Sequence, residues 1–220
     1  MDNIERELKL VPHSESLLDQ LAVVEQLGPF HARGRRHEVQ HNAFFDTSSH
    51  SLRDARVGFR CRVVEGQQLA VWSIKGDARN TGGVASRSEI ELQLDADTPP
   101  ALALSALRDA ARSRGASALA ESVADALASG GLPLATPIVE TQTDRRIVDL
   151  EEPERNWLVE LALDRMEVVG HAYREAEIEA ELKHGDEEAL EVVRRAIEQR
   201  GEVRVSEGSK LSRALTAVQG

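Results

Sequence analysis

Two hydrophobic periods divide the chain. From Ser14 to Leu27 the apolar residues Leu17, Leu18, Leu21, Val24 and Leu27 form one stripe at helical spacing. Ser14 or Ser16 can cap its start, and Gly28-Pro29 ends it. From about Val39 to Leu94 the period changes to two, interrupted by turn-forming patches at Asp46–Ser51, Glu65–Gln67 and Gly76–Gly83. Pro100–Ser129 is rich in Ala and Leu and predicts two helices parted near Gly115. Extended segments follow at Pro137–Val148, Trp157–Val169 and Tyr173–Leu182. An amphipathic helix is predicted over Asp186–Gln199 and a short last one over Ser209–Val218. Strands flank the Ala-rich helices on both sides, so the region around 100–130 reads as an insertion within one sheet system. The pattern predicts one α+β domain over 1–220, with about eight strands and peripheral helices.

On a strand, residues i, i+2 and i+4 share a face, about 6.5–7 Å per step. Glu5, Glu7 and Lys9 therefore lie opposite Ile4, Leu8 and Leu10, and Arg60 and Arg62 opposite Phe59, Cys61 and Val63. Lys75 falls opposite Trp72 and Ile74, and Arg87, Glu89 and Glu91 opposite Ile90 and Leu92. Glu160 and Asp164 oppose Leu161 and Leu163; Glu177, Glu179 and Glu181 oppose Ile178, Ala180 and Leu182. Any one of these is compatible with the solvated face of an antiparallel sheet. As a set they are harder to explain that way, because a solvated face normally mixes Thr, Ser, Gln and Asn among its charges. Glu at i and i+2 also recurs, and such like charges repel unless something counters them.

A divalent cation would counter them, and oxygen-only donors favour Mg²⁺, Mn²⁺ or Ca²⁺ over zinc. No His or Cys completes a zinc set, and the lone Cys61 excludes an internal disulfide. The balance of 27 Lys and Arg against 38 Asp and Glu gives −11, which disfavours nucleic acid and anionic lipid unless the cations are gathered in one place. Two Trp, one Tyr and four Phe leave little for a base-stacking platform. No apolar run approaches the roughly 18–20 residues that span a bilayer. The start, MDNIERELKL, is charged from its second residue and argues against a secretory leader, so a soluble cytoplasmic protein is expected. Lys9, Arg60, Arg62, Lys75, Arg87, Arg145 and Lys210 are the cations expected to join the carboxylates on one surface. That combination suits a metal–polyphosphate. Closing the sheet would turn this face into a charged, water-filled tunnel, with the apolar faces outward against helices.

Glu5-x-Glu7-x-Lys9 resembles the signature of the CYTH superfamily, the triphosphate tunnel metalloenzymes. Similar family blocks follow in order: Phe44-Phe45-Asp46-Thr47, Gly58-Phe59-Arg60-Cys61-Arg62, Trp72-Ser73-Ile74-Lys75-Gly76, and Thr81-Gly82-Gly83 before Arg87-Ser88-Glu89-Ile90-Glu91. Leu161-Ala162-Leu163-Asp164, Glu177-Ile178-Glu179-Ala180-Glu181 and Gly208-Ser209-Lys210 complete the series. Phe44 and Phe45 stand where tyrosines are commoner. The Thr-Gly-Gly block, the helical insertion and the Gly-Ser-Lys ending are most similar to the bacterial inorganic triphosphatase branch.

The resemblance implies an eight-stranded antiparallel closed β-barrel, a tunnel with helices outside. It implies metal-dependent hydrolysis of the terminal phosphate of inorganic triphosphate or a related triphosphate. Glu5, Glu7 and Lys9 are then catalytic, and Lys9, Arg60, Arg62, Lys75, Arg87, Arg145 and Lys210 bind substrate. Glu5, Glu7, Glu89, Glu91, Asp164, Glu177 and Glu179 would hold one or two divalent ions, Mg²⁺ or Mn²⁺. Of Arg145 and Arg146, the family pattern selects Arg145 as the inward one. The same scaffold also carries adenylate cyclases and thiamine triphosphatases, and a polyphosphate or nucleotide sensor without turnover is the non-enzyme alternative. The expected partner is a small triphosphate, not nucleic acid or a membrane.

Overall fold

The structure, a computed structural model, describes residues 4–81 and 83–219. Met1–Asn3, where the leader expectation begins, and Gly82 of the Thr81–Gly83 block lie outside the described residues. Eight strands close on themselves: β1 (Ile4–Pro12), β3 (Phe30–Phe45), β4 (Gly58–Val64), β5 (Ala70–Lys75), β7 (Val84–Leu94), β8 (Val139–Glu152), β9 (Trp157–Val168) and β10 (Arg174–His184). Their order is β1-β10-β9-β8-β3-β4-β5-β7, and β7 pairs back to β1 through Ile4↔Ser88 to Leu8↔Val84. Every pairing is antiparallel. The fold is the expected α+β closed barrel.

The barrel is inverted in polarity. Its outward apolar residues are buried under helices. Leu8, Leu10, Leu161, Leu163, Ile178 and Ala180 pack with α1 (Ser16–Ala22) and α5 (Glu188–Glu198). On the other flank Phe59, Trp72, Ile74 and Ile90 pack with α3 (Pro100–Ser113) and α4 (Ser117–Gly130). Phe45 stacks on Trp72 there, with ring centroids 5.5 Å apart. Proline at the first turn of α3 and Gly115 at φ 83° bound that helix as the sequence predicts. A third, smaller cluster of Phe44, Val139, Met166 and Val168 receives α6 (Lys210–Gln219).

The departures from expectation are local. The helix predicted to reach Leu27 stops at Ala22. Gln26–Leu27 instead forms β2, which pairs with Phe30–His31 across a turn containing Gly28 at φ 58°. Strand β3 begins at Phe30 rather than Val39. Its His31–His37 stretch lacks apolar alternation, but its backbone is paired along β8. The patch read as a turn before Gly83 contains β6 (Arg79–Thr81), and β11 (Val203–Val205) adds an edge to β1. Among the described residues no helix is long and apolar enough to cross a membrane.

Adjacent residues on β9 test this polarity. Leu161→Ala, on the outward face, should destabilise by about 2–5 kcal/mol. Ala162→Ser, pointing into the barrel, should change stability by about 1 kcal/mol or less. Urea unfolding of both variants checks the contrast, and similar losses would mean that the interior is not polar.

Candidate active site

The inward faces enclose a cavity of about 940 Å³. An eight-stranded barrel is normally just wide enough to be filled by side chains. Here long charged residues stand across the space and pair with one another. Among the described residues nine Lys or Arg and nine Asp or Glu line the cavity, so this lining is formally neutral in a chain of net charge −11. The acidic excess therefore lies outside the cavity.

Strand register builds the network. Glu5 pairs with Arg87, Lys9 with Glu179, Lys75 with Glu89, and Arg145 with Asp164 across neighbouring strands. Arg87 Nε donates to Glu5 Oε2 at 2.8 Å and its Nη2 to Glu7 Oε1 at 2.6 Å. Lys9 Nζ lies 2.9 Å from Glu7 and 3.3 Å from Glu179. Lys75 Nζ donates to both Glu5 oxygens, at 2.9 and 3.1 Å. Arg145 grips Asp164 with two donors, at 2.8 and 2.6 Å, and also bonds Glu179. Lys210, at the start of α6, bonds Asp164 and lies 2.9 Å from Glu179 and 3.2 Å from Glu177.

These contacts set the titration of the interior. Burial opposes ionisation of Glu5, but Lys75 and Arg87 outweigh it and hold the carboxyl well below its usual range. Burial is likewise overcome at Glu179 by Lys210, Lys9 and Arg145, and at Asp164 by Arg145 and Lys210. Glu89 differs. Burial, with Glu5 and Glu91 nearby, exceeds the pull of Lys75 and raises its carboxyl to about 7. Lys75 Nζ sits 3.0 Å from Glu89 Oε1 but outside hydrogen-bonding geometry, so that buried oxygen accepts no hydrogen bond.

Strand β4 is the exception to mutual pairing. Arg62 is half-buried and, among the described residues, donates only to Asn42 Oδ1, at 3.3 Å, and forms no ion pair. Burial, together with Arg60 and Arg145, lowers its guanidinium to about 10. Arg60 reaches Glu91 at only 3.5 Å, and its buried Nε has no partner. Gln40, Asn42, Thr141 and Thr143 beside them are uncharged. This wall presents to the cavity one guanidinium with no ion pair among the described residues and one that is only weakly paired.

Of the residues singled out from the sequence, Glu5, Glu7, Lys9, Arg60, Arg62, Lys75, Arg87, Glu89, Glu91, Arg145, Glu179 and Lys210 all line the cavity. Arg146 points outward, to Asp19 on α1. Asp164 and Glu177 are brought to the network but do not line the cavity. Arg145 and Lys210 cover Asp164, while Glu177 accepts from Ser206 Oγ and Arg213 Nη2, both at 2.7 Å. Sequence reasoning missed Arg213 and Ser206. Arg213 lies three residues after Lys210, which on a helix puts both on one side.

The donor chemistry suits a hard divalent ion, since every cavity carboxylate offers oxygen and Glu89 keeps one oxygen unbonded. Among the described residues, however, no three His, Cys, Asp or Glu side chains form a ready-made cluster for an ion. Lys and Arg neutralise the carboxylates instead.

The profile of the CYTH domain matches residues 3–215, and the chain belongs to this family. Three solved structures share the fold. A Hippeastrum protein, HpAC1, proposed as an adenylyl cyclase and described as having a dominant triphosphatase activity, is 22% identical with a TM-score of 0.66, over 96% of this chain and 95% of its own. A Bacillus halodurans protein proposed as an adenylate cyclase is 18% identical with a TM-score of 0.57, over 96% and 98% of the two chains. PH1819 of Pyrococcus horikoshii is 16% identical with a TM-score of 0.54, also over 96% and 98%. No curated protein matches the chain significantly.

The raised Glu89 gives a signed pH test. Its ordinary value is 4.5 and its folded value about 7, so between these the folded state holds a proton that the unfolded state has lost. Its contribution to stability therefore falls as pH rises through this window and stays unfavourable above it. In EDTA, Glu89→Gln should raise stability at pH 8 by about 1–3 kcal/mol and leave it nearly unchanged at pH 4.5. Equal effects at both pH values would show that Glu89 is not the group responsible.

Proposed function

We infer that this chain hydrolyses the terminal phosphoanhydride of a triphosphate, with inorganic triphosphate as the preferred substrate. One observation carries the reading: along the inner wall of the channel, where Lys9, Lys75, Arg87, Arg145 and Lys210 all pair with carboxylates, Arg62 has no ion pair among the described residues and Arg60 only a long one. Burying such cations is unfavourable until an anion arrives. Guanidinium forks match phosphate oxygens, and a chain of phosphates supplies several such oxygens in a row. Phe44 is the sole aromatic among the described lining residues, so the cavity offers no platform on which a nucleobase or thiamine ring would stack. This favours inorganic triphosphate over adenylate cyclase and thiamine triphosphatase chemistry.

In this mechanism Arg60 and Arg62 bind and orient the phosphate chain. Lys9, Lys75, Arg87, Arg145 and Lys210 exchange part of their carboxylate contacts for phosphate oxygens. They stabilise the charge that spreads over the transferred phosphoryl group as water attacks in line. Glu5 and Glu7, held by Arg87, Lys75 and Lys9, would orient that water, and Glu7 would accept its proton. Glu5, Glu7, Glu89, Glu91 and Glu179 are the carboxylates that would hold Mg²⁺ or Mn²⁺, which would screen phosphate charge and acidify bound water. Asp164 and Glu177, included in the expected metal set, serve here to fix Arg145, Lys210 and Arg213. The whole chain acts as one catalytic unit in this reading, with the 100–130 helices as its outer buttress.

Phosphate release from tripolyphosphate, ATP and thiamine triphosphate, compared in one assay with Mg²⁺ or Mn²⁺, should show tripolyphosphate turned over fastest. EDTA should abolish the activity and added metal restore it; EDTA-resistant hydrolysis would contradict the metal requirement. Arg62→Ala should keep the fold and lower kcat/KM about 100-fold or more. An unchanged kcat/KM would remove the observation on which the reading rests.

A further inference from the structure

The two ends of the channel differ. At one end β9 begins and β10 finishes, and Asp149, Glu160 and Glu181 are tied together by Arg36 and Lys183. That network holds three carboxylates and two cations. At the other end β4 begins, β5 finishes, and the short helix α2 (Ser51–Asp54) leads into β4. Arg53 and Arg56 border the cavity here. The side chain of Arg53 has no hydrogen bond or ion pair among the described residues. Arg56 pairs with Asp77 at 3.1 Å, but both side chains are more than half exposed, 73% and 60%, so the pair is weak and easily exchanged. Glu207 is the other carboxylate lining this end.

Two backbone features hold these arginines in place. The Asp46 carboxylate accepts from the backbone N–H groups of Leu52 and Arg53, at 2.9 and 3.1 Å, and anchors α2 to the end of β3. Arg56 then occupies the left-handed position that closes α2, at φ 56°, with Val57 N–H bonded to Leu52 O at 2.8 Å. Glycine fills that position without strain, and an arginine there is conformationally unfavourable. A residue that breaks a local rule at the rim of a cavity points to a task for its side chain.

We propose that Arg53 and Arg56 form an outer anion subsite that captures the leading phosphate of an incoming phosphate chain and delivers it to Arg60 and Arg62. The subsite rests on the reading of the channel as a polyphosphate site and adds a direction to it. Substrate enters at the α2 end, away from the carboxylate-rich network at the far end. The two arginines lie outside the reacting groups, so they act on capture rather than on the chemical step.

The test uses the full chain with tripolyphosphate. Arg53→Ala with Arg56→Gly should lower kcat/KM about three- to tenfold at low salt, with kcat within about twofold of the original. The loss should vanish near 1 M salt, where screening acts within about 3 Å. Asp77→Asn, which releases Arg56, should raise kcat/KM at low salt. Arg33→Ala removes one positive charge from an exposed pair with Glu151 and should have no such effect. Arg56→Gly alone should unfold at an equal or higher temperature than the original chain. A kcat/KM unchanged in the double variant, matched by Arg33→Ala, or reduced equally at all salt concentrations would overturn the subsite. Calorimetric binding of tripolyphosphate in EDTA separates the two readings. Binding in EDTA that is weakened in the double variant, with no turnover when Mg²⁺ or Mn²⁺ is supplied, would refute hydrolysis and keep the subsite; no binding to the original chain with or without the metal would refute both.

Discussion

Mutual neutralisation of buried charge is the constraint on which this structure depends. A carboxylate or guanidinium taken out of water alone is heavily penalised, and a pair recovers that penalty only with good geometry and with its remaining hydrogen bonds made. The barrel meets the condition by closing. Glu5 finds Lys75 and Arg87 only because β1 lies against β7, the contact that joins the two edges of the sheet. An open sheet would leave these residues as a solvated face with little influence on one another. Closure also forces the apolar faces outward, where α1, α5, α3 and α4 must cover them.

The same constraint gives the channel its chemistry. Where pairing is complete, as at Asp164 with Arg145 and Lys210, the charges are spent on holding each other in position. Where it is incomplete, as at Arg62, a guanidinium faces the channel with no ion pair among the described residues. The network is therefore a support built from paired charge, and in the proposed mechanism its contacts are also exchanged for phosphate oxygens. Helix α6 takes part through Lys210 and Arg213, which connect the carboxylates of β9 and β10 to the end of the chain.

Much of this was legible along the chain. Period-two alternation located the central strands, and strand parity assigned Glu5, Glu7, Lys9, Arg60, Arg62, Lys75, Arg87, Glu89, Glu91 and Glu179 to one face. The gaps have physical causes. His31–His37 carries no apolar alternation because its strand is held by backbone pairing to β8, to which side-chain pattern is blind. Short β2, β6 and β11 contain two or three residues each, too few to show a period. Arg213 and Ser206 were missed because their significance comes from Glu177, a residue far away in sequence.

The sequence by itself determined which residues share a face, because alternation along a strand is a local property of the backbone. It also showed that Glu at i and i+2 on several strands needs a counter-charge, either a divalent ion or gathered Lys and Arg. Only the tertiary structure decided who neutralises whom. It placed Arg145 inward and Arg146 outward, covered Asp164 and Glu177 with cations, and left Arg60 and Arg62 short of partners. Those outcomes depend on register between strands distant in the chain and on distances of a few ångströms, over which Coulomb interactions change most steeply.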